Sequence, residues 1–128
     1  MSAYADTNLL VRHLTSDHVE HARRATALLH GGEQLFLTAA ILIETAHVLR
    51  SRYGFAREQV VAALEHVLAL PAIVAEDVLP TALALHVDHR IDLADAVLAA
   101  HALLMGPPQI ASFDADFDRI PGLVRMAP

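Results

Sequence analysis

The chain has 128 residues, enough for one domain whose core buries roughly two-thirds of the surface that the unfolded chain exposes. Apolar residues make up 55% and charged residues 19%, a balance that speaks against disorder and leaves apolar surface for a partner. The net charge is -6, all nine basic residues are arginine, and there is no cysteine. This argues against a nucleic-acid binder that works through a broad basic field, and it removes lysine-dependent chemistry, disulfides, thiolate zinc sites and cysteine nucleophiles.

No apolar run reaches the ~18 to 20 residues of a membrane helix, and Met-Ser-Ala-Tyr-Ala-Asp lacks the basic region and long apolar core of a signal peptide. A soluble, cytoplasmic protein with no membrane association is expected. Ala3 to Ala5 reads as a short strand that delivers Asp6 at its end, and Asn8 to Leu14 follows as one or two helical turns. Ser16 and Asp17 offer caps for a second helix running to about Leu29, which Gly31 and Gly32 stop. Gln34 to Leu37 is a second strand. Thr38 then caps a helix over about Ala39 to Arg52, with Glu44 near its middle.

After Tyr53-Gly54-Phe55, an amphipathic helix covers Arg57 to Leu70 and ends at Pro71, and Ala72 to Ala75 forms a third strand. Asp77 to His89 makes another helix with Pro80 in its first turn. Leu93 to Met105 is a helix apolar almost all round, interrupted by Asp95 and His101, and this pattern places it in the interior. Gly106-Pro107-Pro108 turns the chain into a fourth strand, Gln109 to Ser112, and Leu123-Val124 offers a fifth. Strands separated by helices imply parallel pairing through crossovers, with a crevice at the strand ends where ligands bind. The expectation is a single domain over residues 1–128 with an α/β fold.

Four acidic positions stand in otherwise apolar stretches: Asp6, Glu44, Asp95, and Asp114 with Asp116. A carboxylate among core residues costs several kcal/mol unless it is protonated, hydrogen-bonded or bound to a cation. Each acid alone has an ordinary explanation. Asp6 can cap the next helix, a role compatible with metal binding; Glu44 can be a solvated helix residue; Asp114, Asp116 and Asp118 can belong to a solvated turn. Asp95 has the weakest such explanation, because Asp92 is better placed to cap that helix, and Asp92 and Asp95 share one helix face.

Taken together the acids point to one site. Two carboxylates about 4 Å apart repel by roughly 4 kcal/mol at an effective dielectric near ~20, so a cluster raises pKa values or recruits cations. Mg2+ or Mn2+ suits an all-oxygen donor set, and a phosphodiester bridging such ions can be hydrolysed by a metal-activated water. The histidine pairs His18/His21 and His86/His89 lack a third ligand at zinc-site spacing and read as surface residues; His47 and His101 read as packed and hydrogen-bonded. A phosphoaspartyl mechanism at Asp6 would need a lysine and, in the phosphatases, an aspartate at position 8, where the chain has Asn8.

The four acidic motifs, in this order, resemble those of PIN-domain ribonucleases, and specifically the VapC toxins of type II toxin-antitoxin pairs. The resemblance rests on Asp6-Thr7-Asn8, on Glu44-Thr-Ala-His-Val-Leu-Arg-Ser-Arg-Tyr-Gly, on Asp92-Leu-Ala-Asp95-Ala-Val-Leu-Ala-Ala, and on Ser112-Phe-Asp114-Ala-Asp116-Phe117. It implies a PIN-like three-layer sandwich with a parallel sheet of about five strands (four to five) flanked by helices, Mg2+- or Mn2+-dependent endoribonuclease activity, a homodimer, and a VapB-type antitoxin partner. Asp6 and Asp95 would be the principal metal ligands, Glu44 and Asp114 would complete the cage, and Asp116 would assist or substitute. Thr7, Asn8 and Ser112 would orient these carboxylates with Asp92 beside them, Ser112 standing where the family more often has threonine. Arg12, Arg50, Arg52 and Arg90 are the candidates for RNA-phosphate contacts. A housekeeping PIN nuclease without an antitoxin, or a non-catalytic PIN-like binding module, are the alternatives.

Overall fold

The computed structural model describes all residues 1–128, which divide into two compact units, Met1–Glu76 and Asp77–Pro128. The first unit runs β1 (Ser2–Tyr4), α1 (Thr7–Leu14), α2 (Val19–Leu29), β2 (Gln34–Leu37), α3 (Ala39–Ser51), α4 (Arg57–Ala69) and β3 (Ile73–Ala75). Its sheet has the order β1-β2-β3 and is parallel throughout, with Ala3 opposite Leu35 and Phe36 opposite Val74. Parallel neighbours need crossovers, and α1 with α2, then α3 with α4, provide them.

Two side chains fix the start of α3. Thr38 accepts a hydrogen bond from the Ile41 N–H through Oγ1 at 3.3 Å, and Glu76 Oε1 accepts one from the Ala39 N–H at 3.0 Å. Two otherwise unsatisfied helix N–H groups are thereby paired, one of them with an anion at the positive end of the helix. The buried side of α3 is Leu42, Thr45, Ala46 and Leu49, the i, i+3, i+4, i+7 stripe of an amphipathic helix. The expected Ser16 or Asp17 cap of α2 is not used: His18 occupies the N-cap and its Nδ1 accepts from the His21 N–H at 3.2 Å. Asp17 is engaged elsewhere, accepting from the Tyr53 hydroxyl at 2.7 Å.

The second unit runs α5 (Leu79–His89), α6 (Leu93–Met105), β4 (Gln109–Ala111), a short 3-10 helix (Ala115–Arg119) and β5 (Val124–Met126). β4 and β5 pair in parallel, Ile110 opposite Arg125, and α5 packs on α6. Ile91, Ala96, Ala99, Ala102, Ile110, Phe117, Ile120 and Leu123 form its core.

The α/β class stands and all five strands form. They make a three-stranded and a two-stranded sheet instead of one sheet of about five, because each strand is three or four residues long and pairs with its neighbour in sequence. The α6 helix also departs from expectation. Its buried residues are Leu93, Ala96, Val97, Ala99, Ala100 and Ala102, while Leu98, Leu104 and Met105 are exposed, so apolar composition alone overstated how far this helix is enclosed. No helix is long and apolar enough to cross a membrane.

Candidate functional site

In the first unit the chain leaves β1 through Ala5, whose N–H donates to the Phe36 carbonyl at 2.8 Å. Asp6 then takes the extended N-cap conformation of α1 (φ -98°, ψ 156°), but its side chain makes no capping hydrogen bond. The capping role is therefore not taken up, and an exposed carboxylate stands unpartnered at the positive end of a helix. Beside it, Thr7 is buried and its Oγ1 has no hydrogen-bond partner. It makes no hydrogen bond to Asp6. A buried hydroxyl in this state costs about 1–3 kcal/mol and calls for a partner that the protein does not supply.

Glu44 projects from the exposed side of α3, off the stripe formed by Leu42, Thr45, Ala46 and Leu49, and makes no ion pair or hydrogen bond. Its apolar neighbours Ile41, Ile43 and Val48 are only half-buried, which is why they do not enclose it. Arg50 and Arg52 are exposed near the end of the same helix, and Arg12 is half-buried on α1, within 3.5 Å of Asp17. His47 is exposed and its ring has no hydrogen bond, contrary to the packed role expected for it; it lies on the same solvent side as Glu44.

The second unit gathers the remaining acids. Asp92 occupies the N-cap position of α6 without a side-chain cap bond, and Asp95 follows in the first turn. Asp95 is half-buried, and burial is the first cause that pushes its carboxyl above the usual carboxylate range; the charges of Asp92, Asp114 and Asp116 add to it in that order. The positive end of α6 favours an anion there, yet the net direction is upward, so burial and like charge outweigh the helix. Arg90, just upstream, ends α5 in the left-handed region (φ 53°), a conformation costing about 1–2 kcal/mol outside glycine, and its side chain is exposed. His86, expected at the surface, is buried with Nδ1 2.6 Å from the Ile91 carbonyl, because it lies on the face of α5 with Ala82 and Leu83.

The last acidic motif is a chain of local hydrogen bonds. Ser112 Oγ accepts from the Asp114 N–H at 2.9 Å, and Asp114 Oδ1 accepts from the Asp116 N–H at 2.9 Å, capping the 3-10 helix. Ser112 thus fixes the backbone of the residue that carries the Asp114 carboxylate. Asp116 pairs with Arg119 at 3.2 Å, while Arg125 grips both oxygens of Asp118 at 3.0 and 3.1 Å and the Ser112 carbonyl at 3.2 Å. One oxygen of Asp114 is left without a partner. Sequence reasoning missed Arg119, whose partner Asp116 is three residues away in the same 3-10 helix, and Arg125, which reaches Asp118 from β5.

Only carboxylate oxygens converge in charge around Asp95, and hard divalent ions bind such donors. No three His, Asp or Glu side chains stand at ligand spacing. Within the second unit, the all-carboxylate donors and the raised Asp95 carboxyl fit Mg2+ or Mn2+.

A family model of the PIN domain matches residues 3–123, nearly the full length of the chain and all four acidic motifs. The chain belongs to the PIN-domain family. No curated protein matches it. Among solved structures, this PIN domain is similar to VapBC2 of Rickettsia felis, described as bound to a DNA fragment from the promoter, with 18% identity over 99% of this chain and 98% of the other and a TM-score of 0.42. It is also similar to VapC20 of Mycobacterium tuberculosis, described as a sarcin-ricin loop cleaving toxin, with 23% identity over 98% of this chain and 99% of the other and a TM-score of 0.45.

Proposed function

We propose that this PIN domain is a divalent-metal-dependent endoribonuclease and the toxin component of a type II toxin-antitoxin pair, with residues 1–128 acting as a single functional domain. The observation that carries the reading is the half-buried Asp95, whose carboxyl is raised by burial and by three neighbouring carboxylates within its own unit. A protein gains nothing in stability from such a cluster, and perturbed acids of this kind concentrate at functional sites. The family model spans both units, which supports reading their acids as parts of one domain.

Asp6 and Asp95 are the principal ligands in this proposal. Glu44 and Asp114 complete the set, and Asp114 ranks above Asp116 because Asp116 is already paired with Arg119. Asp92 holds the Asp95 carboxyl up by charge, Ser112 fixes the loop that carries Asp114, and Thr7 and Asn8 flank Asp6. When bound, Mg2+ or Mn2+ supplies an activated water and neutralises phosphate charge. The toxin assignment rests on the order and wording of the four motifs, and with it come a VapB-type antitoxin and a homodimer as expected partners.

The test is cleavage of structured and unstructured RNAs by the purified protein with Mg2+ or Mn2+. Asp6→Asn and Asp95→Asn should each abolish cleavage while circular dichroism stays native. Undiminished activity in either variant would overturn the reading. Co-purification with a small protein encoded beside it tests the antitoxin.

A further inference from the structure

Two arginines and a histidine surround a cavity of about 380 Å³ formed by α1 and α2 in the first unit, and no acidic residue lines it. Arg12 and Asn8 come from α1, four apart and so on one face; His21 and Arg24 come from α2, three apart. Leu9 and Leu28 supply apolar wall. With only nine basic residues in a chain of net charge -6, two arginines at one cavity are a marked concentration.

Their charges are poorly compensated. Arg12 has one contact, 3.5 Å from Asp17, and that aspartate is also taken by Tyr53 and Thr15. Arg24 makes no ion pair or hydrogen bond and only acts on Glu20 at longer range, whereas its neighbour Arg23 is paired with Glu20 at 2.7 Å. His21 is exposed, and its imidazole is held below its ordinary pKa by the desolvation that neighbouring atoms impose, then by His18, Arg12 and Arg24, with Glu20 opposing. Cationic groups are thus close enough to disfavour one another, the mirror image of the carboxylates around Asp95, and such an arrangement favours an anion.

We infer that this cleft between α1 and α2 binds a backbone phosphate of single-stranded RNA, gripped by Arg12 and Arg24, with the adjoining sugar or base against Leu9 and Leu28. The inference rests on the nuclease reading for the identity of the anion. RNA is favoured over an acidic peptide by position: Asn8, which lines the cavity, lies two residues beyond Asp6, about 3 Å along α1, so the cavity reaches the Asp6 end of that helix. The volume falls within the ~300–1,000 Å³ of cavities that hold one small-molecule-sized group, such as a nucleotide. Guanidinium groups can also grip a phosphate with paired hydrogen bonds.

The experiment measures binding of a fluorescent single-stranded RNA by wild-type protein in EDTA, where cleavage is suppressed, across a series of salt concentrations. Arg24→Gln should weaken binding about tenfold, and the double variant Arg12→Gln/Arg24→Gln should lower the salt slope by about 1.4, the value for two lost phosphate contacts on a single strand. Arg23→Gln removes the same charge from the same helix outside the cavity and should change affinity less than about twofold. Equal losses in Arg23→Gln and Arg24→Gln would reduce the effect to net charge and overturn the inference. So would unchanged RNA affinity in Arg24→Gln, including the case where that variant instead loses affinity for a poly-glutamate peptide. Cleavage with Mg2+ is scored separately. A wild type that cleaves while Arg24→Gln binds RNA normally rejects the cleft alone, and a wild type with Arg24-dependent binding but no cleavage with Mg2+ or Mn2+ rejects the nuclease alone.

Discussion

His13 on α1 and His66 on α4 stack with ring centroids 5.0 Å apart and Nε2 atoms 2.8 Å apart. A contact this short between two ring nitrogens requires one to donate and the other to accept, so at least one ring is neutral. The other nitrogen of His13 lies 2.7 Å from Thr26 Oγ1, and the His30 ring is 6.2 Å away. Burial first, then the charges of His66 and His30, keep the His13 pKa below its ordinary 6.5. The unfolded chain therefore takes up a proton at His13 before the folded one does. The stabilisation is present above about pH 6.5 and is lost as pH falls through the depressed folded value. Thermal melts should show the wild type losing stability between pH 7.5 and 5.5, and His66→Gln should flatten that dependence. An unchanged slope in the variant would remove the pair from the explanation.

Asp95 carries the opposite sign. Its folded carboxyl is raised, so its contribution to stability is full below the ordinary carboxylate pKa and falls as pH rises through the higher folded value. At neutral pH without metal the charged form is a burden on the fold. Asp95→Asn should raise the melting temperature in EDTA by roughly 1–3 °C, a modest figure because solvent screens a half-buried group, while abolishing cleavage. Addition of Mg2+ should raise the melting temperature of the wild type and leave that of Asp95→Asn nearly unchanged. A variant melting below the wild type in EDTA would show that the carboxylate is structural.

Periodicity and punctuation made most of the elements legible. Thr38 before α3, Pro80 in the first turn of α5 and the long, mostly apolar run Leu93–Met105 mark helices that the structure contains. The acids were legible as charges out of place in apolar runs, although the apolar neighbours of Glu44 proved a poor guide to its burial. What remained hidden depends on distant pairing. Glu76 reaches the start of α3 from 37 positions away, and His13 meets His66 across 53. No local pattern encodes such contacts. The cleft of α1 and α2 is an intermediate case, because His21, Arg24, Ala25 and Leu28 stand at i, i+3, i+4, i+7 and define a face that reading for apolar spacing alone passes over.

Asp114 and Asp116 should separate in mutagenesis. Asp116 is tied to Arg119, while Asp114 spends one oxygen on the Asp116 N–H and keeps the other free. Asp114→Asn retains an oxygen able to cap the 3-10 helix but loses the negative charge, so it should reduce cleavage about a hundredfold or more with a change in stability below about 1 kcal/mol. Asp116→Asn should cost less than about tenfold, the exposed pair with Arg119 being worth little. Steady-state cleavage rates at saturating Mg2+, alongside urea melts, decide the order. A larger defect in Asp116→Asn would transfer the fourth ligand to that residue.

Thr7 offers a test in which stability and activity should move in opposite directions. Its buried Oγ1 lacks a partner, and valine has nearly the same shape without the hydroxyl. Position 7 opens α1, where a β-branched residue costs little, so Thr7→Val should stabilise the metal-free protein by about 1 kcal/mol by removing an unsatisfied polar group. If the hydroxyl serves a group bound beside Asp6, the same substitution should weaken Mg2+-dependent cleavage severalfold and reduce the melting-temperature gain that Mg2+ gives the wild type. Thr7→Ser keeps the hydroxyl and should preserve both. A Thr7→Val protein that is more stable yet binds Mg2+ and cleaves RNA like the wild type would make the hydroxyl a defect of packing, with no part in the site.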